Sequence, residues 1–96
     1  MHIRKSHNRL KKYDAVFDDG TVTSFGGVHA DGTPYGDYTT GTTDQQREAY
    51  IARHSAMEDF DNYKSAGSLS YWILWNTRDI NKNLNIYRKR FNLSSK

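Results

Sequence analysis

An α+β fold is what this sequence predicts, and three observations carry the prediction. Two β-prone runs, Tyr13–Phe17 and Thr21–Phe25, flank Asp18-Asp19-Gly20, the composition of a hairpin turn. Further on, Ile80, Leu84, Tyr87 and Phe91 recur at i, i+4, i+7 and i+11, an amphipathic helical stripe. The length, 96 residues, admits one small domain with a thin core. The expectation is a single α+β domain in which an N-terminal β-hairpin packs on about three α-helices between basic N- and C-terminal arms.

Taken in order, residues 1–12 show no apolar periodicity and read as an extended basic arm, leaving 13–93 as the domain. In the hairpin, 13–26, Tyr13, Ala15 and Phe17 share one face of the first strand, while Thr21, Thr23 and Phe25 share a face of the second, with Val22 opposite. Gly26-Gly27 ends the pairing. The stretch 27–43, rich in Gly, Thr, Asp and Tyr and holding the sole proline, Pro34, reads as a loop long enough to carry a contact of its own. Thr43-Asp44-Gln45-Gln46 fits a capping box at the start of a helix over about 44–55, with Tyr50, Ile51 and His54 on one side. After an acidic turn, Met57–Lys64, in which Phe60 and Tyr63 plug the core, a second helix is expected over 66–76. Its stripe is Leu69, Trp72, Ile73 and Asn76, with Tyr71, Leu74 and Trp75 on the other sides. Thr77 is placed to cap a last helix, 78–91, with Asp79 in its first turn, and 94–96 is a tail.

Only 35% of the residues are hydrophobic, but seven Tyr, four Phe and two Trp compensate, since one such ring buries roughly 150–250 Å². Tyr13, Phe17, Phe25, Tyr50, Trp72, Trp75, Tyr87 and Phe91 are the expected core and interface aromatics. The absence of cysteine excludes a disulfide framework, a zinc ribbon and a thiol nucleophile. The start has no apolar run of the kind a secretion signal needs, and the longest apolar stretch, Tyr71–Trp75, is too short for a membrane span. A protein made and kept inside a cell is therefore expected, with no membrane partner.

Charge divides the chain sharply. Residues 1–12 carry five basic residues and no acid, 78–96 carry six basic residues against Asp79, and the middle holds ten acids against three bases. Arg4, Lys5, Arg9, Lys11 and Lys12, with Arg88, Lys89 and Arg90, are thus the candidate contacts to a polyanion or to acidic partners. Tyr13, Phe25 and Tyr38 could offer stacking faces to unpaired bases. The alternative use of these flanks is to neutralise the protein's own acidic middle.

Catalytic chemistry finds little to stand on. His2, His7, His29 and His54 are scattered, and His54 with Glu58 supplies too few ligands for a metal. Asp31–Asp37 lacks the carboxylate spacing of a calcium loop. Ser68 and Ser70 have no base placed beside them, and no phosphate-cradling glycine loop is present. A Tyr-bearing hairpin followed by Arg47, Arg53 and Glu58 is faintly similar in order to small hairpin-first nucleases, but Phe25-Gly26-Gly27 matches only half of one of their aromatic-glycine signatures. A non-enzymatic protein is expected, with no cofactor, no metal and no small-molecule substrate.

A set of motifs runs over most of residues 5–93, beginning with Lys11-Lys12-Tyr13, Ala15, Phe17, Phe25-Gly26 and Asp37-Tyr38-Thr39. Arg47, Tyr50-Ile51 and Arg53-His54 follow, and then Ala66-Gly67 with Leu69-Ser70 leading into Trp72-Ile73-Leu74-Trp75-Asn76. Ile86-Tyr87, Arg90-Phe91 and Leu93 complete the set. On these residues the chain resembles a family of small uncharacterised proteins of large DNA viruses of algae and amoebae. The chain departs from the family pattern at Tyr71, where a basic residue is usual, at Gly41, where a His is usual, and at Phe60-Asp61-Asn62 in place of a tryptophan-proline turn. The resemblance implies viral origin and one fold along the whole chain. On it rest the two expected roles: a structural component of a virus particle, minor capsid or capsid-associated, contacting other viral structural proteins in the virion; or a basic nucleic-acid-binding protein of viral genome packaging or gene expression.

Overall fold

The computed structural model describes residues 1–93, so the expected tail at 94–96 lies outside the described residues. Three strands, β1 (His2–Lys5), β2 (Lys11–Val16) and β3 (Val22–Gly27), form an antiparallel sheet in the order β1-β2-β3. The helices follow as α1 (Asp44–Ser55), α2 (Ala66–Leu69), a π-helical segment Ser70–Trp75 that continues α2, and α3 (Ile80–Arg90). The domain is α+β, as expected.

The N-terminal arm is the main correction. Residues 2–5 pair with 13–16 of β2, Met1 is buried, and Ile3 packs against the core opposite Ala15. The strand left no pattern in the sequence because it is four residues long at a sheet edge and turns a single apolar side chain inward. Its ladder hydrogen bonds, which any residue can make, hold it in place.

The hairpin closes over Asp18–Gly20, with the Phe17 amide donating to the Thr21 carbonyl at 2.9 Å and Gly20 at φ 88°. Tyr13 pairs with Phe25 and Ala15 with Thr23, so these residues share the face toward the helices. On the other face Asp14 pairs with Ser24 and is only 4% exposed. Ser6 and Ser24 each donate a hydroxyl to Asp14 Oδ1 at 2.6 Å, and Arg4 Nε lies 3.4 Å from its Oδ2. These bonds, with the Ser24 hydroxyl foremost, hold its carboxyl down at about 2.

The core gathers Ala15, Phe17 and Phe25 from the hairpin side with Leu69, Ile73, Leu74, Leu84 and Tyr87 from the helices. The π-helical turn explains why Leu74 is buried although an α-helical stripe sets it aside. Hydrogen bonding to i+5 widens the turn and lowers the rotation per residue, and Leu74 packs against Gly26 of β3 within the core. Trp72 and Trp75 are half-buried instead. The widened turn leaves carbonyls to satisfy, and two side chains do so. Buried Asn83 donates to the carbonyls of Ile73 (2.8 Å) and Thr77 (2.9 Å), and Arg47 donates to those of Trp75 (2.7 Å) and Asn76 (3.0 Å).

The capping box of α1 is present, Thr43 Oγ1 accepting from the Gln46 amide and Gln46 Oε1 accepting from the Thr43 amide. Asp79, not Thr77, caps α3, accepting from the amides of Asn81 and Lys82, and the helix starts two residues later than expected. Thr77 donates its hydroxyl to Asn83 Oδ1 at 2.5 Å and accepts from the Asp79 amide at 3.2 Å. On the far side a chain of rings runs from Phe60 stacked on Tyr71 (4.2 Å), through Trp72 and Phe91, to Tyr63 and Phe17. Tyr87, fully buried, donates its hydroxyl to the Tyr63 carbonyl.

Candidate nucleic-acid interface

Three adjoining depressions follow the sheet. The first, an open cleft of about 790 Å³, lies between the hairpin's C-terminal end and α1. A second, of about 760 Å³, shares Lys11, Lys12, Tyr35 and Gly36 with it and is floored by the β1–β2 turn and the 28–36 loop. A third, of about 440 Å³, shares Lys5 and Tyr13 with the second and lies between β1 and α3.

Six of the eight cations singled out from the sequence line these depressions, Lys12 among them as half of an ion pair. Arg4 and Arg88 stand in the third groove, Lys5 between the third and second, Arg9 in the second, and Lys11 between the second and first. Sheet pairing does the gathering: β1 runs back along β2, and α3 lies against β1 closely enough for Arg88 Nε to donate to the Met1 carbonyl at 3.2 Å. Among the described residues no carboxylate forms an ion pair with Lys5, Arg9 or Lys11.

Lys12, Arg90 and Lys89 are placed differently. Lys12 is not a surface contact: its side chain is 8% exposed and its Nζ meets Asp37 Oδ2 at 2.5 Å. Arg90 pairs with Asp61 at 2.8 Å and lies over the Trp72 ring, among the far-side aromatics. Lys89 is exposed and lines none of the three depressions.

The first cleft is the most polar. Asp37, 2% exposed, anchors its loop by accepting from the Thr39 amide (2.8 Å) and hydroxyl (2.5 Å) through Oδ1, which leaves Oδ2 for Lys12. Lys12 reaches it past Gly26, whose φ of 81° and missing side chain are both required, since a Cβ there would lie 3.0 Å from Lys12 Cβ and 3.1 Å from Leu74 Cδ1. From α1, Tyr50 is stacked between His54 (4.1 Å) and Trp75 (4.2 Å, planes 5° apart). Burial pushes the Tyr50 hydroxyl up to about 12, against a hydrogen bond with Ser70 that works the other way. Arg53, His54 and Glu58 complete the wall, with the Glu58 carboxylate lying over Gly67. Two buried side-chain atoms, Thr42 Oγ1 and His54 Nδ1, have no hydrogen-bond partner among the described residues, and both residues line this cleft.

Of the aromatics read as core or interface, Phe17, Phe25 and Tyr87 are buried, and Tyr13, Tyr50, Trp72, Trp75 and Phe91 are half-buried. Sequence reasoning missed Tyr35, Asp37, Thr42 and Arg53 as cleft residues. Asp37-Tyr38-Thr39 and Tyr50-Ile51 with Arg53-His54 were visible as motifs, and the i, i+4 spacing of Tyr50 and His54 already put their rings together. What brings the loop and the helix to one cleft is tertiary.

These features define a small basic α+β domain with a polar cleft at one end of a cationic track. Residues 1–54 match the model of a family described as a family of unknown function (DUF5754), more than half of the chain, and the chain belongs to that family. No curated protein and no solved structure matches it.

Proposed function

We propose that this protein binds nucleic acid through its phosphate backbone, along the track from Arg88 and Arg4 through Lys5 and Arg9 to Lys11. The observation that carries this reading is the continuity of those cations across three depressions that share lining residues. Lys5, Arg9 and Lys11, which no carboxylate pairs with among the described residues, release condensed counterions when they meet phosphates, a term that needs no base recognition. The role that follows is one in genome packaging or gene expression. If the resemblance to proteins of large DNA viruses holds, that genome is viral.

The other role, a minor capsid or capsid-associated component of the particle, takes less support from this geometry. The rings it would offer a neighbour, Tyr71 and Trp75, are half-buried and already stacked on Phe60 and Tyr50. That reading rests on the motif resemblance.

The test is titration of the protein into labelled single- and double-stranded DNA from low to physiological salt. Log affinity should fall linearly with log salt, with a slope of about 0.9 per phosphate contact on duplex. Changing Lys5, Arg9 and Lys11 together to Ala should flatten the slope by about one per lost contact. Absence of binding at low salt, or a slope the triple variant does not alter, would overturn the reading.

A further inference from the structure

We infer that the strand this protein prefers is single, and that the cleft between the hairpin and α1 receives one of its nucleotides, with Tyr35 under the base and Arg53 beside the phosphate. The inference rests on the phosphate-binding reading above and names its ligand more closely.

Tyr35 is 52% exposed, the most exposed aromatic among the described residues, and it stands where the first two depressions meet. An exposed ring on a loop would ordinarily be mobile, but this one is held. Its centroid lies 3.7 Å from that of His29, and its edge lies against Gly27, where a Cβ would come within 2.8 Å of Tyr35 Cδ2. The loop is itself pinned, the Tyr35 amide donating to the Gly27 carbonyl at 3.1 Å and Val28 bridging to Pro34. A ring fixed in this way is a stacking platform that pays little ordering entropy, and stacking on it requires a base outside a duplex.

The cleft beside it is suited to the rest of a nucleotide. Its charged groups are Lys11, Lys12, Asp37, Arg53 and Glu58; the Lys12–Asp37 pair cancels within itself, and the remaining balance is one positive charge. Arg53 is exposed, and no carboxylate pairs with it among the described residues. Thr42 and His54 line this cleft, and their Oγ1 and Nδ1 atoms are buried without partners among the described residues. Both halves of the proposal therefore stand on geometry: a rigid exposed ring, and a polar cleft of net positive charge next to it.

The experiment uses the whole chain with fluorescein-labelled oligothymidylate and oligouridylate of about ten nucleotides, within the usual span of a single-strand site, and a duplex of equal length. The wild-type protein should bind the single strands more tightly than the duplex at equal salt, and the DNA and RNA arms separate a preference for the 2′-hydroxyl from stacking alone. Tyr35→Leu should lose about fivefold to a hundredfold on the single strands and change little on the duplex, while Tyr35→Phe keeps the wild-type affinity. Gly27→Ala, which displaces the ring without removing it, should fall between. Photocrosslinking of wild-type protein to a 5-iodouracil strand should mark Tyr35 and needs no variant. Equal losses on single strand and duplex, or crosslinks confined to other residues, would overturn the inference while leaving phosphate binding intact. Failure of the wild type to bind any of the three would overturn the parent reading instead.

Discussion

At the scale of single residues, the buried carboxylates have the sharpest consequences. Asp14 is held at about 2 against an ordinary value of 3.8, so its folded form binds the proton less readily than its unfolded form. Its contribution to stability is therefore complete above 3.8 and is lost as pH falls through about 2. Chemical denaturation midpoints measured at successive pH values should show a decline over that window that is reduced in Asp14→Asn. Asp37 makes the complementary case. Lys12→Met leaves its carboxylate buried without a counterion and should cost about 3–5 kcal/mol by urea unfolding, more than the loss of any surface cation. Neither role was legible from residue type alone: Lys12 counted with its basic neighbours because nothing local distinguishes it from Lys11. The distinction comes from Gly26, which opens the path, and from a loop 25 residues away.

At the scale of elements, legibility tracks how local the stabilising interactions are. The hairpin turn and the capping box of α1 were readable because their hydrogen bonds lie within three or four residues. Thr43→Ala should accordingly cost about 1 kcal/mol, measurable as a shift in the unfolding midpoint. The junction between the π-helical segment and α3 was not readable. There Asn83, a residue of poor helix propensity, is retained because it satisfies carbonyls that the widened turn leaves open. Asn83→Leu orphans those of Ile73 and Thr77, and at about 1–3 kcal/mol for each buried group it should rank among the most destabilising single changes. A stability gain in that variant would show that the π-helical turn relaxes to an ordinary helix once Asn83 is removed. Thr77 lost its expected cap to Asp79 because α3 starts at Ile80: Thr77 Oγ1 reaches only the Asp79 amide, one residue short of the helix, while Asp79 meets the amides of Asn81 and Lys82.

At the scale of the whole molecule, the N-terminal segment changes meaning. Read as an arm, residues 1–5 would be dispensable for folding. As β1 and a buried first residue, they cover the sheet's edge, bury Met1 and pack Ile3. Deleting residues 1–5 should therefore lower stability by about 3 kcal/mol or more, since full burial of one such side chain contributes about 1.5–3 kcal/mol. Circular dichroism melts of the shortened chain check this directly. An unchanged melting temperature would return the segment to the status of an arm. The same strand aligns Arg4 and Lys5 with Arg9, Lys11 and Arg88, so folding and the cationic track depend on one element.

Composition, turn chemistry and helical periodicity were enough by themselves to determine an α+β domain with a hairpin first, an aromatic core and strongly basic flanks, because each of those signals is local in the chain. The pairing of β1, the burial of Lys12 against Asp37, the diversion of Arg90 to Asp61 and Trp72, and the meeting of Tyr35 with α1 were decided only by the tertiary structure. Each joins segments distant in sequence, and a side chain's charge does not reveal whether its partner is a solvent-borne phosphate or a carboxylate of its own fold.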